Sequence, residues 1–556
     1  MKKSIVITLM SVMFSLTASS QHTPSFGDLG NGYYRNPIIP ADYSDPDIIR
    51  VGNDYYGIAS TFCFSPGMII IHSRDLVNWE IIGHVVDDIS FLQDNLDWSK
   101  MNGYYYGIWA GSLRYHDGLF YCHFCTPRGG WFVATAKDIR GKWHVQAMKD
   151  SHGKELRGGG WDDVCPLWDD DGNAYIIGSN FGREWYPHLF KMSADGTTLL
   201  NGTKSDSATI KNMDIAGGFV TCNHRTGEAN KIYKWNGMYY LYFSEVLPVD
   251  GGKERVPVML RSKNIYGPYE RKVIMHSQGR NVDREPNQGA IIDTPDGKWY
   301  FVTQFGSGDF EGRDLNTIPV VWKDGWPMPG DDLDGDSTGE MTWQSKMPIK
   351  CASHCRMQSS DSFKSHVLSP QWEWNHQPRN DKWSLNERKG WLRLHAFAQV
   401  RKDDFFATGN VLSQRYTRYG ESHITVKMDV RGMADGQTAG LAIFNGGKDF
   451  SYLAVEQHGK SRKLVFVKKQ IKDKTASRIE GNLLAEDLKT LLLNTKIDFD
   501  GHASYSWSTD GKVFHPLGDT FQLAWGNYRG CRIGMFTFNN LSDKGYADWT
   551  DFKYTH

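Results

Sequence analysis

A tight turn that runs into a strand and closes on a tyrosine recurs five times in the first 300 residues of this 556-residue chain. The copies are Gly52-Asn53-Asp54-Tyr55-Tyr56, Asp117-Gly118-Leu119-Phe120-Tyr121, Asp171-Gly172-Asn173-Ala174-Tyr175, Asn236-Gly237-Met238-Tyr239-Tyr240 and Asp296-Gly297-Lys298-Trp299-Tyr300. Four carry Asp-Gly or Asn-Gly, the strongest short signal for a β-hairpin. The closing tyrosines are 65, 54, 65 and 60 residues apart. A second motif follows in at least three copies: Ser73 to Trp79, Ala136 to Trp143 and Ser262 to Tyr269. Each unit is therefore several strands, and five such units closing in a ring make a five-bladed β-propeller. A long β-sandwich with coincidental turns is the alternative, and the near-even spacing argues against it. Frequent glycine (57 residues) and the scarcity of helix-period stretches agree with an all-β chain rich in turns.

The repeat supplies a frame. Twelve residues before the hairpin tyrosines stand Trp109, Asp163, Glu228 and Gln288; eleven before Tyr56 stands Asp45. The strand before the central hairpin is the innermost of a blade, so these five side chains are expected to converge at one mouth of the axis. Three are carboxylates from three blades. Cleaving a glycosidic bond with inversion needs a base to activate water and a protonated acid on the leaving oxygen, roughly 6.5–9.5 Å apart. A third carboxylate keeps the acid protonated by like-charge repulsion. Two other readings stay open at this point: a structural cation such as Ca²⁺ held by clustered oxygens, or inner-strand residues hydrogen-bonded to neighbouring blades.

Lys and Arg total 63 against 64 Asp and Glu, a net charge of -1. That balance provides no pull toward nucleic acid or an acidic membrane, and the expected partner is neutral. Aromatics at 13% suit both sheet packing and stacking on sugar faces. Residues 1–20 read as a cleaved signal peptide: Lys2-Lys3, an apolar run from Ile5 to Leu16, then Ala18-Ser19-Ser20. Export is expected, and no later segment is apolar enough to span a membrane. Of eight cysteines, Cys122 and Cys125 look like half a zinc site with no second pair to answer them, and read as buried small hydrophobes. A Cys351–Cys355 disulfide stays open.

The local sequences then carry a resemblance. Asn36 to Pro40, Asp45-Pro46-Asp47-Ile48, Thr61-Phe62 through Pro66-Gly67, His72 to Trp79, Gly107 to Ala110, Trp161-Asp162-Asp163, Gly227-Glu228 and Gly312-Arg313-Asp314 resemble glycoside hydrolase family 43. The resemblance implies a five-bladed propeller, with Asp45 as general base, Glu228 as general acid and Asp163 as the carboxylate that raises and orients the acid. Asp162 could align in place of Asp163; the twelve-residue frame selects Asp163. Phe62 and Trp109 match aromatic walls of the sugar subsite, with inter-blade packing as the other reading of Phe62. Arg313 matches a residue that pairs with substrate hydroxyls or the acid. Gln288 stands where many relatives carry a histidine that helps hold a central metal or water cluster, so no cofactor is required and a structural Ca²⁺ is left open. The run Asp331 to Asp336 lacks the glutamate of an EF-hand loop and reads as solvated.

After Met347-Pro348-Ile349-Lys350 the repeat stops and short alternating runs take over: Trp391 to Phe397, His423 to Val430, Leu441 to Phe444, Leu464 to Val467, Tyr505 to Ser508 and Ile533 to Phe538. They indicate a β-sandwich. Gln371 to His376 and Trp383-Ser384-Leu385 resemble the concanavalin-A-like accessory domain that follows many family 43 propellers, expected either to bind glycan or to narrow the pocket. The chain thus divides into a propeller over 33–346 and a sandwich over 356–556. The expected activity is release of α-L-arabinofuranose or β-D-xylose from plant cell-wall poly- or oligosaccharides, leaning to arabinofuranose; a non-catalytic glycan-binding propeller is the alternative. Linkage and oligomeric state are not legible.

Overall fold

In the computed structural model the described residues are 25–181, 187–200, 227–249, 252–276, 286–305, 309–350, 355–526 and 529–556. The leader assigned to residues 1–20 and Cys351 lie outside them. Five antiparallel sheets follow one another along the first half. Blade 1 is Asp47–Val51, Asp54–Ala59, Gly67–Ser73 and Trp79–Val86. Blade 2 is Gly111–His116, Leu119–Thr126, Gly130–Ala136 and His144–Ala147. Blade 3 shows Trp161–Trp168, Ala174–Asn180 and Pro187–Met192. Blade 4 is Glu228–Trp235, Met238–Val249, Gly252–Ser262 and Glu270–Val273; blade 5 is Gly289–Asp293, Trp299–Phe305, Asp314–Lys323 and Trp326–Pro329. The repeated turns are the hairpins between the first two strands of each blade. In blades 2 and 4 both turn residues have positive φ (Asp117 and Gly118, Asn236 and Gly237), the geometry that matches strand twist and that Asp, Asn and Gly tolerate.

The first strands of the blades face one another around the axis. Trp161–Trp168 touches Gly111–His116 and Glu228–Trp235, and Asp47–Val51 touches Gly111–His116 and Gly289–Asp293. The ring is tied shut by Tyr33–Arg35 pairing with Gln344–Lys346. Asn36 reinforces this closure, its Nδ2 donating to Thr317 O and Thr342 O at 2.9 and 2.8 Å.

The second half is a sandwich of two antiparallel sheets, and each of the six alternating runs falls on one of its strands. Ser422–Asp429 and Thr490–Ile497 alternate buried and more open positions, as strands with one covered face do. Trp372, Trp549, Leu441 and Leu493 are among the side chains in the core between the sheets. The outermost strand of one sheet comes from the propeller: Phe64–Ser65 of blade 1 pairs with Glu373–Asn375. A hydrophobic cluster runs through the same seam, joining Phe64, Ile70 and Phe132 to Phe405, Phe444 and Phe450. Cys122 and Cys125 are fully buried within Leu119–Thr126. Cys355 is half-buried, its Sγ 3.6 Å from His72 Nδ1, and the disulfide left open between it and Cys351 falls outside the described residues. No helix of the described residues is long and apolar enough to cross a membrane.

Candidate active site

Bulges in the inner strands build the site. The register of blade 3 slips between Asp162 and Cys165, and that of blade 4 between Glu228 and Lys231. Such a bulge adds a residue and re-aims the side chains beside it. Asp163 and Ala229 sit in these bulges with φ of 51° and 70°, and Asp45, just before the first strand of blade 1, has φ of 55°. The hairpin tyrosines pair with Ile49, Leu167 and Tyr233. Four residues before each partner stand Asp45, Asp163 and Ala229, which share one position. Glu228 comes one residue earlier, level with Ser44 and Asp162. Counting from the tyrosines therefore slips in blade 3, whose hairpin turn is longer. Asp45 and Asp163 are the true equivalents, and Glu228 is the one offset.

The three carboxylates are held differently. Asp45 is buried; its Oδ2 accepts from Ser60 Oγ at 2.7 Å, its Oδ1 from Arg313 Nη1 at 2.9 Å, and its N–H donates to Gln304 Oε1 at 2.6 Å. Burial raises its pKa, Arg313 and Ser60 oppose the rise, and the net shift is upward. Asp163 accepts from Gln288 Nε2 at 2.8 Å and from the Ala229 N–H. Burial pushes it up to about 7; the Ala229 N–H opposes this, and the charges of Glu228 and Asp45 add to it. Asp162 is buried beside it and pushed well above the usual carboxylate range by burial and by Asp163. Glu228 is partly open to solvent and forms an ion pair with Arg255. Further along the inner strands, Arg114 Nη1 lies 2.8 Å from one oxygen of Asp47 and Lys231 Nζ 3.8 Å from the other.

Each residue expected at the axial mouth is accounted for. Gln288 binds Asp163 through its amide nitrogen. Trp109 is half-buried, its ring 6.5 Å from that of Phe62 in an edge-to-face contact. Phe62 is only 3% exposed and has φ of 53°. Arg313 binds Asp45, and its side chain is 14% exposed. The cation on Glu228 is Arg255, which the sequence reading did not identify: it lies 27 residues away on the third strand of the blade, and no repeat or motif marks it.

Among the described residues, the His, Cys, Asp and Glu groups close enough to share an ion are His72–Glu80–Cys355 and Asp332–Asp334–Asp336, neither of which includes the axial carboxylates.

Comparison with known proteins adds a name to this arrangement. The model of "Glycosyl hydrolases family 43" matches residues 34–327, and that of "Beta xylosidase C-terminal Concanavalin A-like domain" matches 360–555. A beta-xylosidase of Formosa agariphila is 35% identical, covering 99% of this chain and 97% of its own. A non-reducing end alpha-L-arabinofuranosidase of Bacteroides ovatus is 27% identical, covering 94% of each. The solved structure of a bifunctional GH43-CE protein of Bacteroides eggerthii superposes with a TM-score of 0.76 at 27% identity, over 96% of this chain and 64% of that protein's length. The chain belongs to glycoside hydrolase family 43.

Proposed function

We propose that the protein is exported and releases a terminal pentose, β-D-xylose or α-L-arabinofuranose, from plant cell-wall oligo- or polysaccharides with inversion at the anomeric carbon. The observation that carries this reading is the convergence of three carboxylates from three blades, each in a different electrostatic setting. Asp45, aimed by Ser60 and Arg313, takes a proton from water as the water oxygen bonds to the anomeric carbon. Glu228 gives its proton to the leaving oxygen as the glycosidic bond breaks. Asp163, bound to Gln288 and beside both, is the modulator whose charge favours the protonated acid. No organic cofactor is needed. The relative matched along 97% of its length is a beta-xylosidase, which moves the first choice from arabinofuranose to β-D-xylose.

A panel of 4-nitrophenyl pentosides, followed by xylan and arabinan oligosaccharides, tests the substrate, and NMR of the first-formed anomer tests inversion. Retention of configuration would sink the single-displacement reading. Binding without release from any pentoside would favour a glycan-binding role. Glu228→Ala should slow poor leaving groups far more than good ones, because only the former need protonation; equal losses would remove its role as acid.

A further inference from the structure

We infer that Arg529, supplied by the sandwich, is a positioning residue for Phe62. The inference rests on the proposed reading of Phe62 as a wall of the pentose subsite. A phenylalanine at φ 53° occupies the left-handed region, which is strained for a side chain with a Cβ, so its surroundings must hold it there. Its backbone is pinned to blade 2: Phe62 N–H donates to Ile108 O at 2.9 Å and Ile108 N–H returns to Phe62 O at 3.0 Å. Gly107 permits this approach, since a Cβ there would lie 2.0 Å from Phe62 O. The ring meets the edge of Trp109 and, from the other domain, the guanidinium of Arg529 at 4.8 Å from its centroid.

Arg529 is 1% exposed, and its Nη1 donates to Cys63 Sγ at 3.3 Å. One guanidinium therefore contacts the ring of Phe62 and the side chain of the next residue. A cation over an aromatic face is attracted by the ring quadrupole, most strongly in a desolvated site. The arginine itself has little room to swing. Gly526 N–H donates to Arg529 O at 3.1 Å, and Cys531 N–H crosses the seam to Phe310 O at 2.7 Å. A Cβ on Gly526 would lie 2.3 Å from Gly446 N, and one on Gly530 would lie 2.0 Å from Glu311 O and 2.8 Å from Gly312 N. The same sandwich loop thus abuts the residues just before Arg313, the partner of Asp45. Two groups of the propeller's site are buttressed from the second domain at once.

The test uses full-length protein and an aryl β-D-xyloside, or whichever pentoside the panel identifies. Arg529→Met should raise KM roughly tenfold, about 1.4 kcal/mol, and leave kcat within about twofold, the signature of lost uniform binding. Arg529→Lys, which keeps the charge but not the plane, should fall between Met and wild type. Phe62→Leu should raise KM as well, and the double variant should be no worse than Phe62→Leu alone. Multiplying KM effects in the double variant, or an unchanged KM in Arg529→Met, would overturn the assignment. If Arg529→Met does not fold, an Arg529→Lys KM equal to that of wild type overturns it as well. Wild-type inactivity on every pentoside would instead remove the reading on which the assignment rests.

Discussion

Two buried charge clusters in this molecule are made of the same residue types and behave in opposite ways. At the propeller mouth Asp45, Asp162, Asp163 and Glu228 face Arg313 and Arg255, and the aspartates are driven upward, Asp163 to about 7. At the seam between the domains, fully buried Glu373 meets Arg415 Nη1 at 2.8 Å, Arg532 Nη1 at 2.5 Å and His84 Nε2 at 3.1 Å. Burial pushes Glu373 up too, but the two arginines and His84 override it and hold its carboxyl well below the usual range. Burial alone therefore says nothing about role; the ratio of acids to cations sets the sign. An excess of acid is what proton transfer near neutral pH requires, and an excess of cation is what a permanent ion pair requires.

Substitutions at the two clusters should separate them. The largest effect is expected from Asp45→Asn, which removes the proposed base: kcat on the best pentoside should fall by about 10²–10⁴ with the melting temperature kept. Activity within tenfold of wild type would end that assignment. Glu373→Ala should do the reverse. It strands Arg415 and Arg532 in a dry seam and should cost about 3–5 kcal/mol in chemical denaturation; a loss below about 1 kcal/mol would show that the seam relaxes around the missing acid. Asp163→Asn links the two clusters. It should move the basic limb of the pH–rate profile downward, since the proposed acid loses its like-charged neighbour. It should also change stability with a definite sign. A carboxyl raised from 3.8 to about 7 withdraws stability as pH rises through that window, so the Asn variant should gain on wild type between pH 5 and 8. A gain of about 1 kcal/mol would appear as roughly 1–2 °C in a chain of this size, and a gap that does not grow with pH would count against the buried-acid reading. Glu373, with a depressed value, runs the other way: its contribution is present above the ordinary glutamate pKa and is lost as pH falls below it. The smallest effect is expected from His84→Gln, which keeps a donor for Glu373 Oε1 and should cost under about 1 kcal/mol.

Much of this was readable in the residues because local chemistry repeated. The hairpin turns need Asp, Asn and Gly, so five blades announce themselves, and the alternating runs after residue 350 mark sandwich strands. The axial carboxylates were readable as a set, since each blade brings its inner strand to the same place. Their exact equivalence was not. The longer turn Asp169 to Asn173 shifts the count by one in blade 3, and a bulge leaves no signature in composition. Arg255 and Arg529 were hidden for another reason: each acts on a partner brought near by folding, Glu228 two strands away in the same blade and Phe62 in the other domain. Arg313 was identified as a site residue, but its bond to Asp45 was not, because charge type alone does not say which carboxylate it reaches.

The two-residue strand Phe64–Ser65 is short, yet it bears on how such a protein can change over evolutionary time. Its backbone completes a sheet of the sandwich, and the guanidinium of Arg532 lies 3.5 Å from the centroid of the Phe64 ring. A catalytic unit that lends a strand to its companion cannot be recombined freely with another companion. Any replacement would have to offer an edge like Glu373–Asn375 in the same register, and a cut between the units would leave both with an open edge available for aggregation. Two domains that look separable along the chain are, for gene shuffling and for truncation alike, a single inheritable piece.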